Sequence, residues 1–314
     1  MLVGVVVIVF ALMKLVPGDP AVVFLGENAT PQAVAELRKT LGLDRPLPAQ
    51  LLGYVLGLFR GDLGRSIFQD RPVLEIVASR LPATAELAFA ALAFAVLAGT
   101  VLGILAALKQ GSLADLGIMF FAQLGVSMPV FWLGILLTAW LSVKMNIFPA
   151  VGRGEPLFGA LGAAVTGHPR ALLDCLAHLF LPAVTLGVGS AAVLSRLVRA
   201  SLLDTLHEDY VRAARAKGIS ERRVVLSHAF RNALLPVVSV MGVRLGVLLG
   251  GSVLTETIFG WPGLGHLAVT AISQRDLPLV QGIVLVFALG FLLLNLLVDV
   301  SYGYLDPRTR VSSR

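Results

Sequence analysis

Histidine, cysteine, serine and paired carboxylates are the side chains that could make or break a covalent bond, and here their spacing assembles no reaction centre. The five histidines, His168, His178, His207, His228 and His266, are scattered. None sits in the H-E-x-x-H pattern that places two zinc ligands on one helix face. Ser190 follows Gly189, but Ala191 comes next and no histidine falls at a matching depth along the apolar stretches, so a serine dyad is not expected. Paired aspartates within those stretches are absent, which argues against an intramembrane aspartyl enzyme. The lone Cys175 excludes an internal disulfide and a thiolate metal cluster within one chain. No Gly-Lys pair occurs, so the chain has no Walker phosphate loop, and any energy from ATP must come from a partner. No cofactor is expected in the chain itself.

The elements that would hold functional residues are set by hydropathy. Of 314 residues, 57% are hydrophobic and 14% charged, and the mean hydropathy is +0.86. These values lie outside the balance of a soluble domain. Apolar stretches near the ~20 residues needed for a membrane crossing predict an all-α transmembrane bundle of six spans: Met1 to Val16, Ala83 to Leu108, Leu116 to Leu141, Leu179 to Val198, Leu234 to Leu254 and Val280 to Tyr302. The first is short, so either the sequence begins inside the span or residues upstream complete it. A signal peptide is the weaker reading, because no basic leader or small-x-small site precedes Pro17-Gly18-Asp19-Pro20.

Arg199, Arg212, Arg215, Lys217, Arg222, Arg223 and Arg231 lie between the fourth and fifth spans, and Arg308, Arg310 and Arg314 follow the sixth. The positive-inside rule makes both segments cytoplasmic, along with the amino terminus. The net charge of +6 therefore reads as topology. No basic stripe with interleaved aromatics suggests nucleic acid. Residues 17–82 are expected outside, as a subdomain of short helices: one starts at Thr30-Pro31 and ends at Gly42, a second runs from Pro48 to Phe59, and the turn Arg60-Gly61-Asp62-Leu63-Gly64 follows. The sequon Asn28-Ala29-Thr30 reads as a chance occurrence.

The segment 199–233 carries the densest information. Thr205-Leu206-His207-Glu208 fits a capping box, which predicts a helix of about 12 residues from Thr205 to Lys217 with Gly218 ending it. Glu208 and Asp209 near its start and Arg212, Arg215 and Lys217 towards its end complement the helix dipole. Tyr210, Ala213 and Ala214 complete a surface on which small side chains let another protein approach while the basic ones pair with its acids. Ser220 can cap a second helix from Glu221 to Asn232, after which Leu234-Leu235-Pro236 opens the fifth span.

Ala213-Ala214, then Gly218, then Leu235-Pro236 resembles the EAA motif of permease subunits of ATP-binding-cassette importers. Arg212 stands where the motif has Glu, and the interval from Gly218 to Pro236 is longer than the general pattern; both departures are similar to the dipeptide, oligopeptide and nickel permease subfamily. The resemblance continues through Pro17-Gly18-Asp19-Pro20, Gly61-Asp62-Leu63-Gly64-Arg65-Ser66, Arg80-Leu81-Pro82-Ala83-Thr84, Ser127-Met128-Pro129-Val130-Phe131-Trp132 and the stretch from Glu256 to Gly265. It ends in Asn295-Leu296-Leu297-Val298-Asp299 and Leu305-Asp306-Pro307-Arg308, and looks like the first permease of the pair.

The resemblance implies the type I importer permease fold, with a first span (1–16), an external helical subdomain (17–82) and a five-span core (83–314) whose coupling loop is 199–233. It implies transport of dipeptides, oligopeptides, nickel chelates or similar solutes across a bacterial-type inner membrane, without catalysis by this chain. The implied partners are a second homologous permease, two ATPase subunits that bind ATP and Mg, an extracytoplasmic solute-binding protein and membrane lipid. Ala214 and Gly218 are the expected main contacts with the ATPase. A secondary carrier or channel is the alternative function, but such a protein needs no docking helix.

The charges near mid-span are Glu86, Arg244 and, towards the inner end of the last span, Asp299. Arg244 either lines the pathway and attracts a peptide carboxylate or pairs with Asp299 or Glu86. Ser127 and Ser252 mark the breaks Ser127-Met128-Pro129 and Gly250-Gly251-Ser252, which either line a cavity or serve helix packing. The tip Trp261-Pro262-Gly263 either touches the binding protein or turns a re-entrant segment.

Overall fold

Period-four small residues decide how the long helices approach each other. The computed structural model describes residues 4, 6–8, 10–11, 19–26, 29–40 and 42–305, and these are helical apart from turns and one isolated bridge between Arg65 and Pro72. In chain order the helices are α1 (Pro20–Leu25), α2 (Pro31–Thr40), α3 (Leu47–Phe59), α4 (Val73–Leu108), α5 (Leu113–Ser127), α6 (Val130–Leu137), α7 (Leu157–Val165), α8 (Pro169–Leu206), α9 (Asp209–Ala216), α10 (Phe230–Ile258), α11 (Leu264–Gln274) and α12 (Leu277–Leu305). The π-helical segment Thr138–Lys144 extends α6, and Val224–Ala229 leads into α10. The chain forms two units, Met1–Thr84 with Pro262–Leu292, and Ala85–Trp261 with Leu293–Arg314.

Helices α4, α8 and residues Leu277–Leu297 of α12 are each long and apolar enough to cross a membrane. At the third expected span, α5 and the helix Val130–Lys144 meet at 108°. Pro129 causes the break: it has no N–H to donate, and its ring excludes Met128 from helical backbone. In the fifth, Val240–Gly250 and Ser252–Ile258 are inclined at 48°. Most of the expected first span, the sequon's Asn28, the side chain of Asp299 and everything from Asp306 onward lie outside the described residues.

Helix α4 begins at Val73, well before the expected Ala83, because Val73, Ile76 and Val77 repeat at helical spacing and are buried in the first unit's core with Leu63, Leu264, Leu267, Leu279 and Ile283. Glu75 and Arg80 lower the hydropathy of this stretch without breaking that period. In the same unit Asp19 caps α1, accepting from the Ala21 N–H at 3.0 Å and from Arg38 Nε of α2 at 2.7 Å. Thr30 accepts from the Ala33 N–H at 3.3 Å as expected, and Gly42, at φ +65°, ends α2 with the Leu43 N–H donating to the Arg38 carbonyl at 2.9 Å.

In the second unit a buried stripe of Ala91, Ala95, Gly99, Gly103 and Ala107 runs along α4. A Cβ at Gly99 would stand 2.8 Å from the Ala191 carbonyl oxygen of α8, and one at Gly103 2.7 Å from that of Ser195. Gly187 of α8 returns the approach, with its Cβ position 2.6 Å from the Ala91 carbonyl oxygen. Backbones this close gain dispersion contacts that no larger residue permits, which is how helices associate where lipid offers no hydrophobic driving force.

Gly103→Leu should therefore lower the thermal stability of the purified protein, by the ~1–3 kcal/mol of an overpacked core or more. Gly250→Ala, where a Cβ meets open space, should leave it unchanged. Detergent-solubilised melting curves of the two variants check the contrast, and equal melting temperatures would contradict the close approach.

Candidate functional site: the basic helix and its supports

Helix α9 has eight residues, and its N-cap is Glu208, whose side chain makes no capping bond. The capping box expected at Thr205 does not form. Thr205 is still within α8, where its hydroxyl donates to the Ser201 carbonyl at 2.7 Å. The apolar period of α8, with buried Leu194, Val198 and Leu202, carries the helix to Leu206 and overrides the local cap signal. At the other end Gly218 takes φ +76° and the Ile219 N–H donates to the Ala214 carbonyl at 3.3 Å, the C-terminal turn expected of glycine.

One face of α9 is already occupied. Val211 and Ala214 are buried in a cluster with Ala107, Leu202, Val224, Val225, Ala229 and Ala233. Ala214, 7% exposed, is thus part of the chain's own core; its side chain is not the contact surface expected from the sequence. The exposed face presents Glu208, Tyr210, Arg212, Ala213, Arg215, Lys217 and Gly218. Several of these are engaged within the chain: Arg212 pairs with Asp209, and Asn232 donates to the Tyr210 hydroxyl at 2.7 Å. Arg215 gives Nε and Nη2 to the Glu221 carboxylate at 3.1 and 2.7 Å. Lys217 has no side-chain partner among the described residues, and Ala213 is a small exposed side chain, as is Ala216.

Ser220 has the extended backbone of an N-cap but no side-chain capping bond. From Glu221 the chain winds through the π-helical segment directly into α10, so the second loop helix and the fifth span are continuous. At the start of α5, Arg199 of α8 donates twice to Asp115, at 2.7 Å each, and the Gly111 N–H donates to the same carboxylate at 3.0 Å. Arg196 donates to Gln123 at 3.1 Å, and Gln123 to the exposed Ser127 hydroxyl at 3.4 Å. Asp115 and Gln123 escaped the sequence reading, because their partners lie on another helix and no local spacing announces them.

Among the mid-span charges, Glu86 is paired with Arg153, not Arg244. The Arg153 guanidinium also lies 5.6 Å from the centre of the Trp261 ring, and the Cys175 thiol is 3.9 Å from the second Glu86 oxygen. Arg244 is half-buried and makes no ion pair among the described residues. Ser252 is fully buried and its hydroxyl donates to the Leu249 carbonyl at 2.9 Å, so it serves its own helix and does not face a pathway.

The Trp261 side chain is fully buried, and the residue's backbone N–H donates to the Glu256 carbonyl at 2.8 Å. Its side chain is therefore unavailable to a binding protein. Gly263 is buried and Pro262 half-buried, its carbonyl accepting from Arg80 at 3.5 Å. The Thr84 hydroxyl accepts from the Leu264 N–H at 2.7 Å, satisfying the first turn of α11. Ser66 donates to Asp276, which is fully buried and accepts from the Leu279 N–H at 3.3 Å at the start of α12. Thr84 thus caps α11, and Ser66 holds the carboxylate that caps α12. No group of three His, Cys, Asp or Glu side chains that could hold a metal occurs among the described residues.

The hydrogen bonds from Arg215 hold the Glu221 carboxyl below the usual carboxylate range and push the Arg215 guanidinium up. A depressed acid stabilises the fold above its unfolded value, about 4.3 for glutamate, and loses that contribution as pH falls through the folded value. The pair is half-exposed, which limits it to about 0.2–1 kcal/mol. Hydrogen-exchange protection of 206–220 should therefore fall below about pH 4, and Glu221→Gln should lower it at neutral pH and remove that pH dependence. Protection in the variant equal to wild type at pH 7 would remove the pair from the turn's support.

Residues 99–311 match the family model described as "Binding-protein-dependent transport system inner membrane component", and residues 1–88 match the N-terminal model of the same systems. The dipeptide transport system permease protein DppB of Escherichia coli strain K12 is 43% identical, over 98% of this chain and 94% of that protein. The di/tripeptide transport system permease protein DppB of Pseudomonas aeruginosa strain UCBPP-PA14 is 45% identical over the same shares. Two solved structures share the fold: a chain of the MetNI methionine ABC transporter in an inward facing conformation, with TM-score 0.57, 17% identity and coverage of 74% of this chain and 97% of that one, and a chain of an amino acid ABC transporter, with TM-score 0.51, 16% identity and coverage of 72% and 92%. The helical bundle is thus the type I ABC importer permease fold, and the chain belongs to the family of inner membrane components of binding-protein-dependent transport systems.

Proposed function

We propose that the chain is the first of two homologous permeases in an ATP-driven importer of dipeptides or short oligopeptides. It sits in a bacterial-type inner membrane with both termini cytoplasmic, residues 17–82 outside as a helical subdomain, and residues 83–314 as the core with its coupling loop at 199–233. The near full-length similarity to dipeptide permeases carries the substrate class. The basic segment between α8 and α10 carries the orientation.

The two-faced helix α9 carries the mechanism. Its inner side is fixed to α8 and to the segment leading into α10 by the cluster around Val211 and Ala214, while its outer side offers Ala213, Lys217 and Gly218 to an ATPase groove. Two ATPase subunits supply ATP and Mg binding and all hydrolysis. Their closure displaces α9, and its apolar attachment carries the displacement into the helices on either side, biasing the pathway between inward-open and outward-open states. An extracytoplasmic binding protein delivers the peptide, and Arg244 offers a cation to its carboxylate from α10. A secondary carrier or channel would have no use for a basic helix mounted in this way.

Ala213→Leu enlarges the outer face and leaves the inner cluster intact. It should lower ATP-coupled dipeptide uptake roughly 30-fold, the loss expected of a hot spot worth about 2 kcal/mol, with normal membrane insertion. Gly218→Leu should do the same, with added backbone strain at φ +76°. Uptake and ATP hydrolysis by the assembled transporter in proteoliposomes decide the matter. Fully coupled uptake by Ala213→Leu would refute docking through this face.

A further inference from the structure

Helix α3 carries no charged residue over Leu47–Phe59, yet it is apolar on two sides. Leu51, Tyr54, Val55 and Leu58, spaced i, i+3, i+4, i+7, lie against the first unit's core. Leu52, Leu56 and Phe59 form a second stripe that faces away, at 60%, 51% and 83% exposure. A soluble subdomain would place polar residues on that second stripe. The cost of leaving it in water is large: burying each such side chain fully is worth about 1.5–3 kcal/mol.

The depth of α3 follows from what it touches. The core against which it lies includes Leu279, Val280 and Ile283 of α12, and residues Leu277–Leu297 of α12 are a candidate membrane span. Ala49, Gly53 and Tyr54 of α3 line one cavity with Leu277, Pro278 and Gln281, and Leu277 to Gln281 covers about 6 Å at 1.5 Å per residue, so α3 lies beside the first third of a ~30 Å hydrocarbon core. At 13 residues α3 is about 20 Å long, too short to cross. Asp44 and Arg45 precede it, and Arg60 and Asp62 follow it, all exposed. Charges of both signs at its two ends, and none between, complement zwitterionic headgroups above an apolar layer.

We propose that α3 is an interfacial helix whose Leu52, Leu56 and Phe59 stripe is seated among the acyl chains of the outer leaflet, with Arg45 and Arg60 at headgroup level. The leaflet assignment rests on the external placement of residues 17–82 proposed above; the lipid contact does not. Such a helix anchors the subdomain to the bilayer independently of any protein partner and fixes the height at which a delivered solute meets the transporter.

Single-cysteine variants at Leu52, Leu56, Phe59 and, as an aqueous reference, the exposed Glu36 of α2, in a Cys175→Ala background, carry nitroxide labels in the assembled transporter. The transporter is placed in nanodiscs of phosphatidylethanolamine and phosphatidylglycerol. Collision with oxygen should exceed collision with a water-soluble nickel chelate at 52, 56 and 59, and the order should reverse at 36. Nickel accessibility at 52, 56 and 59 equal to that at 36 would overturn the proposal. So would protection from both reagents that depends on the second permease or the binding protein, since a protein would then cover the stripe. A membrane-impermeant maleimide applied to intact spheroplasts should label Glu36→Cys. Failure to label it in whole cells, with labelling after lysis, overturns the external placement and moves α3 to the inner leaflet, whatever the nitroxides report.

Discussion

Inside a bilayer no water is available to satisfy a stray backbone N–H or C=O, and each such group left unpaired costs several kcal/mol. The arrangement of this chain follows from that constraint. At two helix starts a side chain from, or held by, a distant part of the same unit supplies the missing bond. Thr84 of α4 accepts from the first turn of α11, and Asp276, itself held by Ser66, accepts from the first turn of α12. At Ser127-Met128-Pro129 the break costs little because proline has no N–H to strand and the Met128 N–H still reaches the Leu124 carbonyl at 2.9 Å. Motifs that looked like functional signatures in the sequence are in several cases the sites of this accounting.

Close helix contact follows from the same absence of water. The apolar faces of α4 and α8 gain nothing by leaving lipid for each other, so their association depends on contact density, and density depends on Gly99, Gly103 and Gly187. That contact gives the core a stiff pair of helices to which α9 is attached at one end through Ala107, Leu202, Val211 and Ala214. Stiffness matters for the coupling proposed above. A displacement of α9 reaches the long helices only if the cluster beneath it resists compression, which close-packed apolar cores do. Ala214, buried in that cluster, contributes to its packing.

Local signals with a single interpretation were legible in the sequence. Thr30-Pro31 starts α2, Gly42 ends it, Gly218 ends α9 and Pro129 breaks the third expected span, each because one residue's backbone permits nothing else. Two kinds of feature were not legible. Thr205 carried a valid cap signal, but the apolar period of α8 ran past it, and burial of Leu202 against Val211 outweighs a cap worth about 1 kcal/mol. Partners distant in sequence were the second kind. Nothing near Glu86 points to Arg153, and nothing near Asp115 points to Arg199, because these pairs are fixed by which helices adjoin. The inward turn of Ala214 belongs here too, since an eight-residue helix of alternating small and basic residues is nearly symmetric until its neighbour is known.

The charges within the spans separate by the same logic. A buried ion pair rarely stabilises more than apolar residues of equal volume would, but losing one partner is expensive. Glu86 with Arg153 and Asp115 with Arg199 are therefore best understood as fixing which loop and which helix adjoin which, a matter of specificity more than of stability. Arg244 differs from both. It is half-buried on α10 with no ion pair among the described residues, which leave out the side chain of Asp299. The carboxylate-binding role proposed for Arg244 requires that it have no fixed partner of the kind that Arg153 and Arg199 have, because a guanidinium already committed to a buried carboxylate gives it up only at the cost of an unpaired charge.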